Sequence, residues 1–161
     1  YMDVCDAVLS RRELATRQRI LKDSHCGAFA VIGMVLLALC QWSVFLSGSA
    51  DESLWGLLLI PVATRACAGL AVLKLRPMGT SQYAAMGRHG GYAAALAVLL
   101  AAAIAVPLVT DRSFAPLAAA AGYGLAVWYG FRQLDGMNGD ISGFALTLGE
   151  LAGAAVWTLV R

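Results

Sequence analysis

Five apolar stretches of about twenty residues, separated by short charged connections, constrain this chain more than any other feature. The hydrocarbon core of a bilayer is about 30 Å thick, and a helix needs roughly 20 mostly apolar residues to cross it. The 161 residues are 60% hydrophobic and only 14% charged, which is typical of membrane proteins. We therefore predict transmembrane helices near residues 27–47, 53–73, 90–109, 114–131 and 141–160.

These stretches favour helices over the strands of a membrane barrel. None of them alternates polar and apolar residues with a period of two, as barrel strands do. A helix also satisfies its own backbone hydrogen bonds, which cannot be left unpaired in hydrocarbon. The third and fourth stretches are rich in Ala and Gly, whose small side chains let helices approach closely in lipid. The predicted fold class is all-α, a single polytopic membrane domain.

The basic residues predict the orientation of this bundle, because Lys and Arg are retained on the cytoplasmic side. If the five helices alternate, nine basic residues share the side of the N-terminal segment: Arg11, Arg12, Arg17, Arg19, Lys22, Lys74, Arg76, Arg88 and Arg132. The opposite side holds two, beside three acids: Arg112, Arg161, Asp51, Glu52 and Asp111. We expect a multi-pass protein of the cytoplasmic (inner) membrane, with residues 1–26 and the connections that carry the site facing the cytoplasm.

The segment "SRRELATRQRILKDS" at 10–24 predicts a short amphipathic helix along that surface. Ser10 and Glu13 have the spacing of a capping box, and Leu14 and Leu21 fall on one side among arginines. One interpretation is a surface helix that binds anionic lipid headgroups. The other is that its basic face binds a phosphate-bearing substrate.

The cysteines and histidines predict little chemistry. His25 and His89 lie at predicted membrane boundaries, where we expect polar anchors rather than catalytic groups. The four cysteines form no CxxC pair, which predicts free thiols and no zinc: Cys5, Cys26, Cys40 and Cys67.

Two pairs of aspartates are predicted to share the cytoplasmic side. Asp3 and Asp6 are three residues apart, so a helix would place both on one face. Asp135 and Asp140 flank the sequence "GMNG". Converging carboxylates can hold a hard cation such as Mg2+ together with substrate phosphates. Helix capping and a plain connection between helices are the alternative interpretations.

The connection between the fourth and fifth stretches is suited to close approach of a ligand. Gly136, Gly139 and Gly143 permit a tight turn, and Asn138 is a common turn residue.

Two charges are predicted within the membrane. Glu150 lies about ten residues into the last stretch and Arg65 lies in the middle of the second. Ionisable groups at such positions are costly and are functional candidates by default. Their opposite charges make them partners, as a structural ion pair or as catalytic groups.

At these residues the chain resembles a known family. The blocks "MDVCDA", "RILKDSHCGAFAVIG", "PVATRACAGLAVL" and "RQLDGMNGDISGFALTLGEL" occur in this order. They resemble cobalamin synthase, the integral-membrane adenosylcobinamide-GDP ribazoletransferases. The most specific parts are the block "KDSHCG" at 22–27, the turn "NGD" at 138–140 with Glu150 downstream, and the pair Asp3 and Asp6.

The chain departs from the family pattern at two places. In the family the Asp3–Asp6 pair ends a longer motif, DGxxDxxD, whose first aspartate would precede Tyr1. Because the sequence also starts without Met or a charged leader, we expect it to be an N-terminally truncated fragment. The family turn reads Gly-Gly-Val-Thr-Gly-Asp where this chain has "DGMNGD", which leaves the role of Asp135 open.

The resemblance implies a phosphoryl transfer. A hydroxyl of alpha-ribazole, or of its 5'-phosphate, attacks the phosphate attached to cobinamide in adenosylcobinamide-GDP, and GMP leaves. The implied partners are these two substrates and the lipid bilayer; no nucleic acid is expected, and homo-oligomers remain open.

The same resemblance implies roles for particular residues. Mg2+ would be held by Asp3, Asp6 and Asp140, and the ligand would approach the backbone at Asn138 and Gly139. Lys22 and Arg65 would contact phosphate oxygens, and Asp23 would orient Lys22 or the attacking hydroxyl. Glu150 is the fourth expected catalytic group and would act within the membrane.

Two other functions remain open at this point. A CDP-alcohol phosphotransferase of lipid synthesis would also be a small helical membrane enzyme with spaced aspartates, but its DGxxAR…GxxxDxxxD signature does not occur here. A small-solute transporter or channel would use Arg65 and Glu150 as a buried relay. It would not explain acids and bases gathered on one side.

Overall fold

The computed structural model describes residues 1–48, 54–79 and 90–159. Within these ranges the chain is all-α, as predicted, apart from one isolated bridge between Pro77 and Met137. Seven helices follow one another: α1 Met2–Leu9, α2 Leu14–Ile20, α3 Ala28–Ser47, α4 Leu54–Lys74, α5 Gly90–Thr110, α6 Ala115–Leu134 and α7 Gly139–Leu159. Some residues named above lie outside the described ranges: Asp51, Glu52, Arg88, His89 and Arg161.

The five predicted transmembrane stretches correspond to α3–α7, with bounds that agree to within a few residues. Among the described residues, four helices are long and apolar enough to cross a membrane: α3, α4, α5 and α7. The remaining long helix, α6, has 20 residues and ends with the polar pair Arg132 and Gln133. It packs against α4 and α7 inside the bundle. The chain is therefore a polytopic membrane helical bundle.

The outer faces of α3 and α5 are apolar. Trp42, Val98 and Val109 are among the large hydrophobic side chains that are mostly exposed on these helices. So large an apolar surface is rare on a soluble monomer, whereas lipid tails accept it without cost. α5 packs mainly on α4.

Close packing of α6 against α7 depends on glycine. A Cβ at Gly149 would lie 2.8 Å from the carbonyl oxygen of Ala119, and one at Gly153 would lie 2.8 Å from the Ala119 Cβ. The two backbones can therefore approach only because these side chains are absent. In the fourth stretch, a Cβ at Gly122 would lie 2.8 Å from the Ala152 Cβ, so the predicted use of small residues there is confirmed as well.

One end of the bundle gathers the polar connections, and we call it the polar end. The carboxylate of Asp6 binds the start of α3, and Gln18 in α2 donates to the carbonyl oxygen of Leu134 at the end of α6. The segment after α4 pairs with the turn before α7, since the N–H of Met78 donates to the carbonyl oxygen of Met137. As predicted, the Asp6, Lys22–Asp23 and Asp135–Asp140 segments share this end.

The predicted capping box at the start of α2 is wrong. The hydroxyl of Ser10 donates to the carbonyl oxygen of Ala7, 2.7 Å away, at the C-terminus of α1. Glu13 is the N-cap residue of α2, without a side-chain hydrogen bond. Arg11 between them has φ 52°, in the left-handed region. Because α1 ends at Leu9, Ser10 completes that helix and does not begin the next one.

The side chains of the predicted amphipathic helix are divided between core and surface. Leu21, just after α2, is buried in the core, whereas Leu14 stays partly exposed.

The four cysteines are free thiols, as predicted.

Replacing Gly149 with alanine should destabilise the bundle. The added methyl group would force α6 and α7 apart, at a cost of about 1–3 kcal/mol. We expect a lower midpoint of thermal unfolding in detergent than for the wild type. Gly124→Ala is the matched control in α6, because nothing lies within 4 Å of a Cβ there. An equal loss of stability in the control would contradict this account of the interface.

Candidate functional site

Asp6 serves as the N-terminal cap of α3. Its Oδ2 accepts the backbone N–H of Gly27 at 2.6 Å, and its Oδ1 accepts that of Ala30 at 2.8 Å. The residue is only 9% exposed. The first N–H groups of a helix have no partner within the helix, and a carboxylate at that end also interacts favourably with the helix dipole. Asp6 thus ties α1 to α3.

Gly27 is required for this contact. A Cβ at Gly27 would lie between 2.7 and 2.8 Å from the Asp6 carboxylate atoms. Cβ atoms in proteins essentially never come this close to another heavy atom that is not bonded to them. Cys5 in α1 and Tyr1, its N-cap residue, meet Gly33 one to two turns further along α3, so the two helices run antiparallel. Two glycines, Gly27 before α3 and Gly33 within it, therefore face α1 and its cap.

Asn138 caps α7 in the same way that Asp6 caps α3, but locally. Its Oδ1 accepts the N–H of Ile141 at 2.9 Å, and its Nδ2 donates to the Asp140 Oδ2 at 2.8 Å. Both ends of the Asn138 amide are therefore engaged within the turn. These hydrogen bonds neither support nor contradict the predicted ligand contact at Asn138 and Gly139, which stays a prediction.

Asp135 ends α6 and holds Arg76. It adopts a left-handed conformation, with φ 58° and ψ 48°, at the C-cap position. The Arg76 Nη2 donates both to its side-chain Oδ1 and, at 3.0 Å, to its carbonyl oxygen. The guanidinium also lies 6.0 Å from the centre of the Phe131 ring. The role that the sequence left open for Asp135 is thus to position an arginine.

The turn around Asp135 is fastened to the segment after α4. The N–H of Met137 donates to the carbonyl oxygen of Arg76 at 2.9 Å, and the N–H of Met78 donates back to Met137 at 2.8 Å. Gly136 has φ 152°, and a Cβ there would lie 2.8 Å from the Met78 Cα. Only glycine fits at this crossing of two backbones.

These elements enclose a pocket of about 410 Å³ at the polar end. We call it the basic pocket; it is lined by Gln18, Arg19, Lys22, Arg76, Met78, Gly79 and Asp135. Lys22 was predicted to belong to the site. Arg19 and Arg76 also line it, although they belong to segments far apart in the sequence and local spacing does not relate them. Three cations and one carboxylate leave the pocket positive and suited to a phosphate group.

Asp23 does not face Lys22. Its Oδ1 accepts the backbone N–H of His25 at 3.0 Å and lies 2.6 Å from the His25 Nδ1. The pKa of the Asp23 carboxyl is lowered, chiefly by the backbone hydrogen bond from His25 and then by its side chain. Both residues are exposed. The predicted orientation of Lys22 by Asp23 is therefore not observed, and the carboxylate instead closes a local turn.

Arg65 and Glu150 form the ion pair that their charges predicted. The Arg65 Nη1 donates to the Glu150 Oε1, which also accepts the Thr64 hydroxyl at 3.4 Å. Glu150 stands ten residues beyond Asp140 in α7, which is about 15 Å along the helix. This separation places the pair away from the basic pocket and favours a structural role. Its proposed part in catalysis stays a prediction.

Glu150 also lines a cleft of about 280 Å³ between α3, α4 and α7. The other lining residues are Gln41, Phe45, Leu57, Ile60, Pro61, Leu151 and Ala154. The cleft is largely apolar, so it does not extend the basic pocket.

The predicted convergence of carboxylates is not observed. In the parts of the chain that the structure describes, no three His, Cys, Asp or Glu side chains come close enough to hold a metal ion. Asp6 uses both carboxylate oxygens on the backbone of α3, whereas Asp3 is exposed in the first turn of α1. Asp140 keeps one oxygen on Asn138. The three predicted ligands thus do not form a metal centre in this arrangement.

The described residues thus form an integral-membrane helical bundle with a positively charged pocket between its polar connections. The chain belongs to the cobalamin-5-phosphate synthase family, whose model matches residues 1–158. This confirms the resemblance seen in the sequence and leaves the lipid-synthesis and transporter alternatives without support.

Several curated relatives are named adenosylcobinamide-GDP ribazoletransferase. The protein of Clostridium perfringens (strain 13 / Type A) is 35% identical over 160 residues, which cover 95% of this chain and 64% of the relative. That of Geobacillus kaustophilus (strain HTA426) is 30% identical over 174 residues, covering 99% of this chain and 65% of the relative. The chain therefore spans a little under two thirds of these relatives. No solved structure matches it.

Removing the Asp6 carboxylate should destabilise the protein. Asp6→Ala leaves the N–H groups of Gly27 and Ala30 without their acceptor, which costs about 1–3 kcal/mol. We expect a lower midpoint of thermal unfolding in detergent for this variant. Asp3→Ala is the control in the same helix and should leave the midpoint unchanged, since Asp3 is exposed. An equal effect of both substitutions would refute the capping role.

Proposed function

We propose that this chain carries the adenosylcobinamide-GDP ribazoletransferase activity for which its relatives are named. In this reaction a ribazole hydroxyl forms a bond to the phosphate attached to cobinamide, and the bond from that phosphate to GMP breaks. The observation that carries the proposal is the basic pocket, where Arg19, Lys22 and Arg76 line one cavity beside the turn into α7.

The charges of the pocket suit this chemistry. Transfer between a diphosphate and a hydroxyl places negative charge on the phosphate oxygens and on the leaving GMP, and fixed cations stabilise that charge. Arg76 is already oriented by Asp135 and by the Phe131 ring, which leaves its other N–H donors for phosphate. Lys22 is exposed and would add a mobile point charge. Arg19 would do the same with a planar guanidinium.

We also propose that the polar end faces the cytoplasm. Eight of the described basic residues lie there, in residues 1–26 or in the last turns of α4 and α6 and the segment after α4, whereas Arg112 lies at the other end. Retention of positive charge on the cytoplasmic side gives this orientation. Adenosylcobinamide-GDP and ribazole would then reach the basic pocket from the cytoplasm.

Substituting Arg76 should weaken the use of substrate. Membranes that hold the wild-type chain should release GMP from adenosylcobinamide-GDP when alpha-ribazole is added, whereas control membranes should not. Arg76→Gln removes a charge-assisted hydrogen bond, so kcat/KM should fall about tenfold or more. The measurement is GMP release at varied adenosylcobinamide-GDP.

Lys74→Gln is the matched control for this experiment. It removes the same charge two residues away, and Lys74 does not line the basic pocket. We expect its kcat/KM to stay near the wild-type value. No GMP release from membranes that hold the folded wild-type chain would contradict the proposed activity, and equal losses in both variants would contradict the role of Arg76.

Magnesium dependence is a further part of the proposal. Mg2+ is commonly held by one or two carboxylates, substrate phosphates and water, so that Asp3 and Asp140 could serve without disturbing the Asp6 cap. We expect EDTA to stop GMP release and added Mg2+ to restore it. Asp140→Asn should remove most activity while the protein stays folded and inserted. Full activity in EDTA would refute the requirement, and an active Asp140→Asn variant would make Asp140 only a turn residue.

A further inference from the structure

A second positive pocket lies on the other side of α2. We call it the arginine pocket; its volume is about 360 Å³, and it is lined by Val8, Leu9, Arg11, Arg12, Arg17, Tyr129 and Gln133. It shares no residue with the basic pocket. Since successive helix residues are about 100° apart, Arg17 points away from the side that carries Gln18, Arg19 and Lys22. The short helix α2 therefore presents cations in two directions.

The arginine pocket is more strongly positive than the basic pocket. Its lining holds three arginines and, among the described residues, no carboxylate. By contrast, Asp135 partly neutralises the basic pocket. Three arginines around one cavity form a site for an anion that carries several acceptor oxygens.

The guanidinium of Arg17 is not satisfied by the protein alone. Its Nη1 donates to the Gln133 side-chain oxygen, which ties α2 to α6. Its Nε is buried and has no hydrogen-bond partner in the structure. Buried donors are normally paired, and an unpaired one is unfavourable. The arginine pocket therefore has in its wall a cation whose hydrogen bonds to the protein are incomplete, which favours an anion beside it.

Apolar groups surround the opening of the arginine pocket. Of its lining residues, Leu9 is 45% exposed and Tyr129 is 40% exposed. The neighbouring Trp128 ring lies 5.1 Å from the Arg132 guanidinium. Aromatic and basic side chains at the end of a membrane helix are typical of the level of the lipid headgroups. An occupant of this pocket would thus contact arginine hydrogen-bond donors and apolar side chains together.

We propose that the arginine pocket binds the phosphate group of an anionic phospholipid, with the acyl chains lying along Leu9 and Tyr129. A soluble phosphate compound would meet the same arginines but would leave these apolar side chains uncovered. The bound headgroup holds α2 from the side opposite the basic pocket. The sequence allowed two interpretations of the 10–24 segment, headgroup binding and substrate binding. In this proposal each of them applies to a different side of α2.

The test measures the midpoint of thermal unfolding of the purified chain in uncharged detergent during titration with phosphatidylglycerol. Phosphatidylcholine, which has no net charge, and glycerol phosphate, which has no acyl chain, are titrated in parallel. We expect phosphatidylglycerol alone to raise the midpoint in a saturable way. In the Arg11→Gln/Arg12→Gln double variant the apparent affinity should fall roughly fivefold for each arginine removed. Both arginines are exposed, so the variant should fold.

Arg132→Gln is the matched control, because it removes a charge from the same end of α6 without altering the lining of the pocket. It should keep the wild-type response to phosphatidylglycerol. An unchanged affinity in the double variant would overturn the proposal. So would an equal loss in Arg132→Gln, which would indicate general surface charge, or an equal response to glycerol phosphate, which would identify a soluble anion as the ligand. None of these measurements depends on ribazoletransferase activity.

Discussion

The hydrogen bonds from the backbone of α3 to Asp6 organise the polar end of this protein. The N-cap residue of α3 is Gly27, which has no side chain to satisfy the first N–H groups of the helix, and the carboxylate comes from another helix. Because α1 is fixed to α3 at this point, the 10–26 segment between them must fold back over the end of the bundle. That return brings α2 against the last turn of α6, where Arg17 contacts Gln133 and Gln18 contacts Leu134.

The second organising contact joins residues far apart in sequence. Arg76 follows α4 and reaches Asp135 at the end of α6, while the backbones of 76–78 and 137 exchange hydrogen bonds. Gly136 makes this crossing sterically permissible. α2 on one side and this crossing on the other form the walls of the basic pocket. The pocket thus depends on two separate long-range contacts, that of α2 with the end of α6 and that of residues 76–78 with residue 137. Neither contact involves the apolar middle of the bundle.

The fold was largely predictable from the sequence, whereas the site was predictable only in part. The length and apolarity of a segment are properties of consecutive residues, so the bounds of α3–α7 followed closely. The prediction of a capping box was wrong because the spacing of Ser10 and Glu13 does not reveal where α1 ends. Ser10 lies at the end of α1, and Glu13 is the N-cap residue of α2. Helix capping was one of the interpretations left open for the aspartates, but nothing local could indicate that Asp6 caps a helix 21 residues later. Arg76 was missed for the same reason, since its partner is 59 residues away.

The Arg65–Glu150 pair has a consequence for how the protein is made. The two residues are 85 positions apart, so α4 leaves the ribosome long before α7 exists. Until then Arg65 lies in the membrane without its counter-charge, at a cost of roughly 2.5–3.5 kcal/mol on the insertion scale. During synthesis α4 therefore carries an uncompensated charge, and the packing of α7 against it supplies the carboxylate. Assembly of α4 with α7 is thus also a step of charge neutralisation.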